Sequence, residues 1–82
     1  IDIIIAKDAQ KQYKRLPKSE QTKIKKKLAS LSEDPRAGKK LAGELKGRRA
    51  LRVWPYRIIY SINKDENRVE ITEIFHRQGA YK

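Results

Sequence analysis

The chain contains no cysteine and no methionine, and only one histidine, one tryptophan and one phenylalanine in 82 residues. Each shortage removes a class of chemistry. Without Cys there is no disulfide framework, no thiolate metal site and no cysteine nucleophile, which fits a reducing compartment; a cytoplasmic location is expected. One His among scattered carboxylates offers no metal-ligand spacing. Gly38, Gly43 and Gly47 match no phosphate-cradling loop pattern, so no cofactor is expected. There is no run of about 18 apolar residues, the length a membrane-spanning helix needs. The apolar run Ile3-Ile4-Ile5-Ala6 is too short for the core of a secretory signal and has no basic stretch before it. The first residue is Ile1 rather than Met, so trimming at this end is expected. Internal repeats and low-complexity tracts are absent as well.

Acids are also scarce. The chain carries 21 Lys and Arg against 10 Asp and Glu, a formal net charge of +11. Such a surplus suits nucleic acid, an anionic surface or an acidic protein. Its distribution is uneven. Residues 1–47 hold 11 Lys and 2 Arg against 6 acids, whereas residues 48–82 hold 6 Arg and 2 Lys against 4 acids. Lys on a helix is commonly solvated surface, while Arg presents a planar fork suited to bidentate phosphate contacts. The Arg-rich half is therefore the better place to look for a site. The length predicts one domain over residues 1–82, and a domain of this size buries only about 60% of its unfolded surface, so modest stability without a partner is expected.

The hydrophobic pattern predicts an α+β fold. Ile3 to Ile5 read as a short strand buried on both faces. Asp8 is placed as the N-cap of a helix whose apolar stripe is Ala9, Tyr13 and Leu16. Pro17 opens a second helix with Ile24, Leu28 and Leu31 on its apolar stripe and Lys23, Lys25, Lys26 and Lys27 around it. Pro35 stops it by disfavouring helix at Asp34. Residues 35–47 read as a loop pinned by Leu41 and Leu45. Residues 48–53 alternate, with Arg49, Leu51 and Val53 on one face and Arg48, Ala50 and Arg52 on the other. Trp54-Pro55 reads as a tight turn. Residues 56–62 alternate again, Tyr56, Ile58, Tyr60 and Ile62 against Arg57, Ile59 and Ser61. Asn63 to Asn67 is a polar turn. Arg68 to His76 is the last strand, with apolar residues on both faces, so its buried face stays open. The expected architecture is two N-terminal helices on one face of a mainly antiparallel four-stranded sheet, the other face left open.

Three constellations carry candidate chemistry. Arg48, Arg52 and Arg57 fall on the open face by parity, with no acid between Arg48 and Arg57; they form a phosphate cradle or a merely solvated patch. Arg49 and Lys46 stand beside them as further RNA-binding candidates. His76 is either a surface or packing residue or a proton carrier, since the ordinary pKa of a histidine, about 6.5, is unique among side chains near neutral pH. Tyr81 offers a ring on which a base could stack, or one that packs on the core. The Lys-rich second helix reads as a solvated face that adds to a general attractive field. Its apolar stripe is narrow, so membrane binding is not expected.

The block Leu51-Arg52-Val53, Tyr56-Arg57-Ile58-Ile59-Tyr60, preceded by Leu41 to Gly47 and followed by His76-Arg77 with Tyr81, resembles the RelE/ParE toxin superfamily, and within it the RelE-like messenger-RNA-cleaving toxins. The similarity covers essentially the whole chain. The resemblance implies a compact fold like that of small microbial ribonucleases. It further implies ribosome-dependent cleavage of mRNA in the decoding site and neutralisation by a cognate, RelB-like antitoxin. It makes Arg57 the transition-state arginine, Arg77 the arginine near the leaving group and Tyr81 the base-stacking tyrosine. Arg48 and Ala50 stand where the best-known members carry lysines, and Trp54-Pro55 replaces a common Gly-Asp turn. Metal-free RNA cleavage needs a base for the 2′-OH, cations for the phosphorane and an acid for the 5′-oxygen. Arg stays protonated and is a poor base, which leaves His76 as the expected proton carrier. A gyrase-binding ParE-like toxin and a non-catalytic RNA-binding module are the competing expectations. The expected partners are an acidic antitoxin, the ribosome and mRNA.

Overall fold

The computed structural model describes residues 2–43 and 47–76. The elements are β1 (Asp2–Ile5), α1 (Lys7–Lys14), α2 (Lys18–Glu33), β2 (Lys39–Lys40), β3 (Arg48–Val53), β4 (Tyr56–Asn63) and β5 (Arg68–His76). The strands form one sheet in the order β1-β5-β4-β3-β2. Every neighbouring pair is antiparallel except β1 and β5, which run parallel. The helix pair carries the chain from β1 on one edge to β2 on the other, and the antiparallel return through β3 and β4 brings β5 alongside β1. The expected four strands become five because Lys39-Lys40, inside the stretch read as a loop, pairs with Ala50 and Arg49.

The helices form where the apolar spacing places them. Ala9 is fully buried on α1, and Ile24, Leu28 and Leu31 are buried on α2. The N-cap of α1 is Ala6, not Asp8, and no side chain caps it. Asp8 lies inside the first turn, where its charge meets the positive end of the helix dipole. Pro17 is the N-cap of α2, one place before the first turn for which it was expected, and Asp34 ends the helix ahead of Pro35. The two helices are tied at their junction by Gln21 Nε2, which donates to Leu16 O at 2.9 Å.

The core lies between the helices and one face of the sheet. Val53, Tyr56, Ile58, Tyr60, Val69, Ile71 and Ile74 meet Ala9, Ile24, Leu28 and Leu31 there, with Ile3, Ile5, Leu51 and Ile62 packed at the margin. The ambiguous last strand is resolved by a bulge. Ile59 pairs with Glu73 and Tyr60 with Ile71, so Thr72 is the extra residue. Its Oγ1 donates to Ile59 O at 3.1 Å. A bulge of one residue reverses the alternation. Val69 and Ile71 before it, and Ile74 after it, therefore reach the same core. The Gln12 side chain of α1 accepts a hydrogen bond from the Ile74 N–H at 2.7 Å and fixes the helix against the bulged strand.

A second anchor joins the loop after α2 to the sheet. Tyr60 Oη donates to Pro35 O at 2.7 Å and accepts from the Gly38 N–H at 2.8 Å. Gly38 is buried, and a Cβ there would come within 2.5 Å of the Tyr60 hydroxyl. This contact seats β2 on the edge of the sheet. At the opposite end of the hairpin, Trp54 and Pro55 make the β3–β4 turn through a cis peptide bond, and Trp54 is 60% exposed.

Candidate nucleic-acid interface

Pairing register fixes which side chains share the face away from the helices. Arg52 lies directly opposite Arg57, Ala50 opposite Ile59 and Arg48 opposite Ser61. On the next strand Phe75 stands opposite Arg57, Glu73 opposite Ile59 and Glu70 opposite Ser61. On the outer side Lys39 stands opposite Ala50. The expected grouping of Arg48, Arg52 and Arg57 on one open face is thus present, with Arg48 and Arg52 exposed and Arg57 half-buried.

The face is graded rather than uniformly basic. Its β2–β3–β4 side carries Lys39, Arg48, Arg52 and Arg57, and its β5 side carries Glu70 and Glu73. The absence of acids between Arg48 and Arg57 in sequence does not extend across the sheet, because β4 and β5 bring Glu73 one pair away from Arg57 on the diagonal. Glu70 is engaged by Arg68 at 3.4 Å. Ile59 lies on this side, outside the helix-side cluster, yet is only 2% exposed. A groove of about 570 Å³ at the β2 edge of the sheet has Lys39, Ala50, Arg52 and Arg57 in its wall, together with Ala37, Leu41 and Leu51.

Two candidates fall elsewhere. Arg49 is on the helix-side face of β3, and its guanidinium donates to Gly38 O at 2.9 Å and to Arg36 O at 3.3 Å. Its fork holds the loop that Tyr60 also holds, so Arg49 is a structural tie and not one of the open-face cations. Burial pushes the Tyr60 phenol above its ordinary pKa, opposed by the Gly38 hydrogen bond and the Arg49 charge. His76 pairs with Tyr56, whose ring it meets edge-on at a centroid distance of 5.4 Å. Tyr56 belongs to the helix-side core, whereas Arg57 belongs to the other face. The strand alternation therefore sends His76 to the opposite side of the sheet from the arginines and does not bring it to them as a proton carrier. Arg77, Tyr81 and Lys46 lie outside the described residues.

Two residues on the open face went unmarked in the sequence. Phe75 was hidden because the Thr72 bulge breaks the parity that would have placed it beside Arg57. Lys39 was hidden because a two-residue strand leaves no alternating signal. Among the described residues, no three His, Cys, Asp or Glu side chains gather into a set able to hold a metal ion.

The family model for the ParE toxin of type II toxin–antitoxin systems, parDE, matches residues 3–81. The chain belongs to this family, and so to the RelE/ParE superfamily of toxins from toxin–antitoxin pairs. Solved structures agree. The toxin–antitoxin complex RelBE2 from Mycobacterium tuberculosis matches with a TM-score of 0.85 and 28% identity over 93% of this chain and 96% of that one. The archaeal RelE–RelB complex from Pyrococcus horikoshii matches with a TM-score of 0.81 and 25% identity over 96% and 97%. The isolated E. coli RelE toxin shares the fold, with a TM-score of 0.80 and 23% identity over 92% and 82%. No curated protein matches the sequence significantly.

Proposed function

We propose that this toxin is a ribosome-dependent endoribonuclease that cuts mRNA and so stops translation. The observation that carries the reading is the register-defined set of Arg48, Arg52 and Arg57 on the open face of the sheet. In the reaction, the 2′-oxygen attacks the adjacent phosphorus as its proton passes to a base. The bond to the 5′-oxygen breaks and that oxygen takes up a proton, leaving a 2′,3′-cyclic phosphate and a 5′-hydroxyl. Arg57, with Arg52 opposite it, is suited to the charge that grows on the phosphorane, and Arg48 to a neighbouring phosphate. By resemblance, Arg77 adds charge near the leaving oxygen and Tyr81 stacks on a base. The ribosome orients the mRNA, which lowers the demand on the toxin's own groups. A cognate antitoxin of net negative charge would restrain it; the M. tuberculosis and P. horikoshii relatives are solved as toxin–antitoxin complexes.

A gyrase-directed toxin is the second reading, favoured by the match to the ParE model and by Ala50 in the middle of the cationic strand. Primer extension on translating ribosomes separates the two. Cuts inside codons that disappear in Arg57→Ala support the nuclease. Uncut mRNA together with gyrase-dependent DNA damage overturns it.

A further inference from the structure

We propose that Lys39, on the edge strand β2, is a phosphate-binding residue of the cleavage site, its ammonium completing the charge that Arg52 and Arg57 supply. The proposal rests on the nuclease reading and extends it to a residue outside the arginine-rich block.

The argument begins with the sheet. In the middle of the open face the cationic strand presents a methyl group, Ala50, between Arg48 and Arg52. Ala50 has two cross-strand neighbours, Ile59 on β4 and Lys39 on β2. Directly opposed residues have Cβ atoms about 4.5–5.5 Å apart. A four-carbon stem starting there is long enough to cover Ala50, and the small side chain leaves the space for it. Lys39, Ala50, Arg52 and Arg57 line one groove. Among the described residues no carboxylate forms an ion pair with Lys39. Its neighbour Lys40 pairs with Arg49 on the helix-side face, so a two-residue strand divides two equal charges between two faces.

The chemistry of the groove favours an ammonium there. A guanidinium is a flat fork that binds two oxygens from a fixed direction, whereas an ammonium is a compact charge with three rotatable donors. An ammonium beside the two forks adds a third cation for the charge that grows on a phosphorane's equatorial oxygens. The backbone from which Lys39 projects is also anchored. Gly38, one residue before Lys39, is fastened through its N–H to Tyr60 and through its carbonyl to Arg49.

The test uses the full-length toxin, released from its antitoxin, in single-turnover cleavage of mRNA on programmed ribosomes. Lys39→Ala and Lys39→Gln should each slow cleavage at least about tenfold, towards the roughly 100-fold lost when one charge-stabilising donor is removed from an active site. Lys40→Ala, an equal loss of charge on the other face, should cleave near the wild-type rate. Adding Ala50→Lys to Lys39→Ala should restore most of the rate, because an amine on either strand reaches the same groove. Near-normal cleavage by either Lys39 variant, an equal loss in Lys40→Ala, or no recovery in the double variant overturns the proposal. Arg57→Ala serves as the reference. If it still cleaves like the wild type, or the wild type does not cleave, the nuclease reading itself fails. If Arg57→Ala is dead and Lys39→Ala is not, only the role of Lys39 fails.

Discussion

Single residues in this toxin have sharply divided duties, and Tyr60 shows how much one can hold. Its hydroxyl satisfies Pro35 O and the Gly38 N–H, and both partners sit on the segment leading to Lys39. Tyr60→Phe removes the donor and strands a buried N–H, so a loss of about 1–3 kcal/mol is expected, read by chemical denaturation. Gly38→Ala should cost at least as much, since the new methyl meets an oxygen fixed by two hydrogen bonds. The raised pKa of Tyr60 gives a pH signature. A group whose folded pKa lies above its unfolded value near 10 stabilises the fold fully below that value, and the contribution fades as pH rises through the folded pKa. The stability advantage of wild type over Tyr60→Phe should therefore be constant from pH 7 to about 9 and shrink above about 10, as followed by thermal melts. A gap that stays constant through this range would show that the phenol does not titrate with unfolding.

The elements differ in how plainly the sequence announces them. Ile24, Leu28 and Leu31 repeat at helical spacing over a long stretch, and all three are buried on α2. Leu31→Ala should destabilise the protein by about 2–5 kcal/mol, a large share of what a domain this small possesses. The hairpin of β3 and β4 was equally legible, because alternation over six and eight residues assigns each side chain to a face. Two elements were not. β2 is too short to carry a period, and it is set by its pairing with β3 and by the hold of Tyr60 and Arg49 on Gly38 just before it. The face of β5 was unreadable because Thr72 inserts one residue and inverts the pattern halfway. Deleting Thr72 tests this. Without it, the residues on one side of the bulge must turn their apolar side chains to solvent. A marked fall in melting temperature with loss of cooperativity is expected. A well-folded deletion variant would mean that the strand tolerates either register. The same two features hid part of the site: Arg48, Arg52 and Arg57 could be grouped by parity alone, whereas Lys39 and Phe75 required the pairing itself, and His76 was sent to the other face by it.

On the scale of the whole molecule, the charge of +11 is not one undivided property. The Lys-rich face of α2 and the cation-lined side of the sheet lie on opposite sides of the core, so general attraction and local phosphate contact are spatially separate. Binding of an acidic antitoxin should weaken as salt rises, since the Debye length falls from about 10 Å at 0.1 M to about 3 Å at 1 M. Titration calorimetry across that range checks it. An affinity indifferent to salt would mean that apolar contacts dominate the complex. The turn that joins β3 to β4 adds an optical consequence. Its Trp54 is the chain's sole tryptophan, largely exposed, and lies in the turn between the strands that carry Arg52 and Arg57. The toxin therefore carries its own fluorophore at the rim of the candidate site. A partner that covers this rim will shift the emission to shorter wavelength, and one that binds only the helices will leave the spectrum unchanged, so occupancy of the two sides can be told apart without attaching a label.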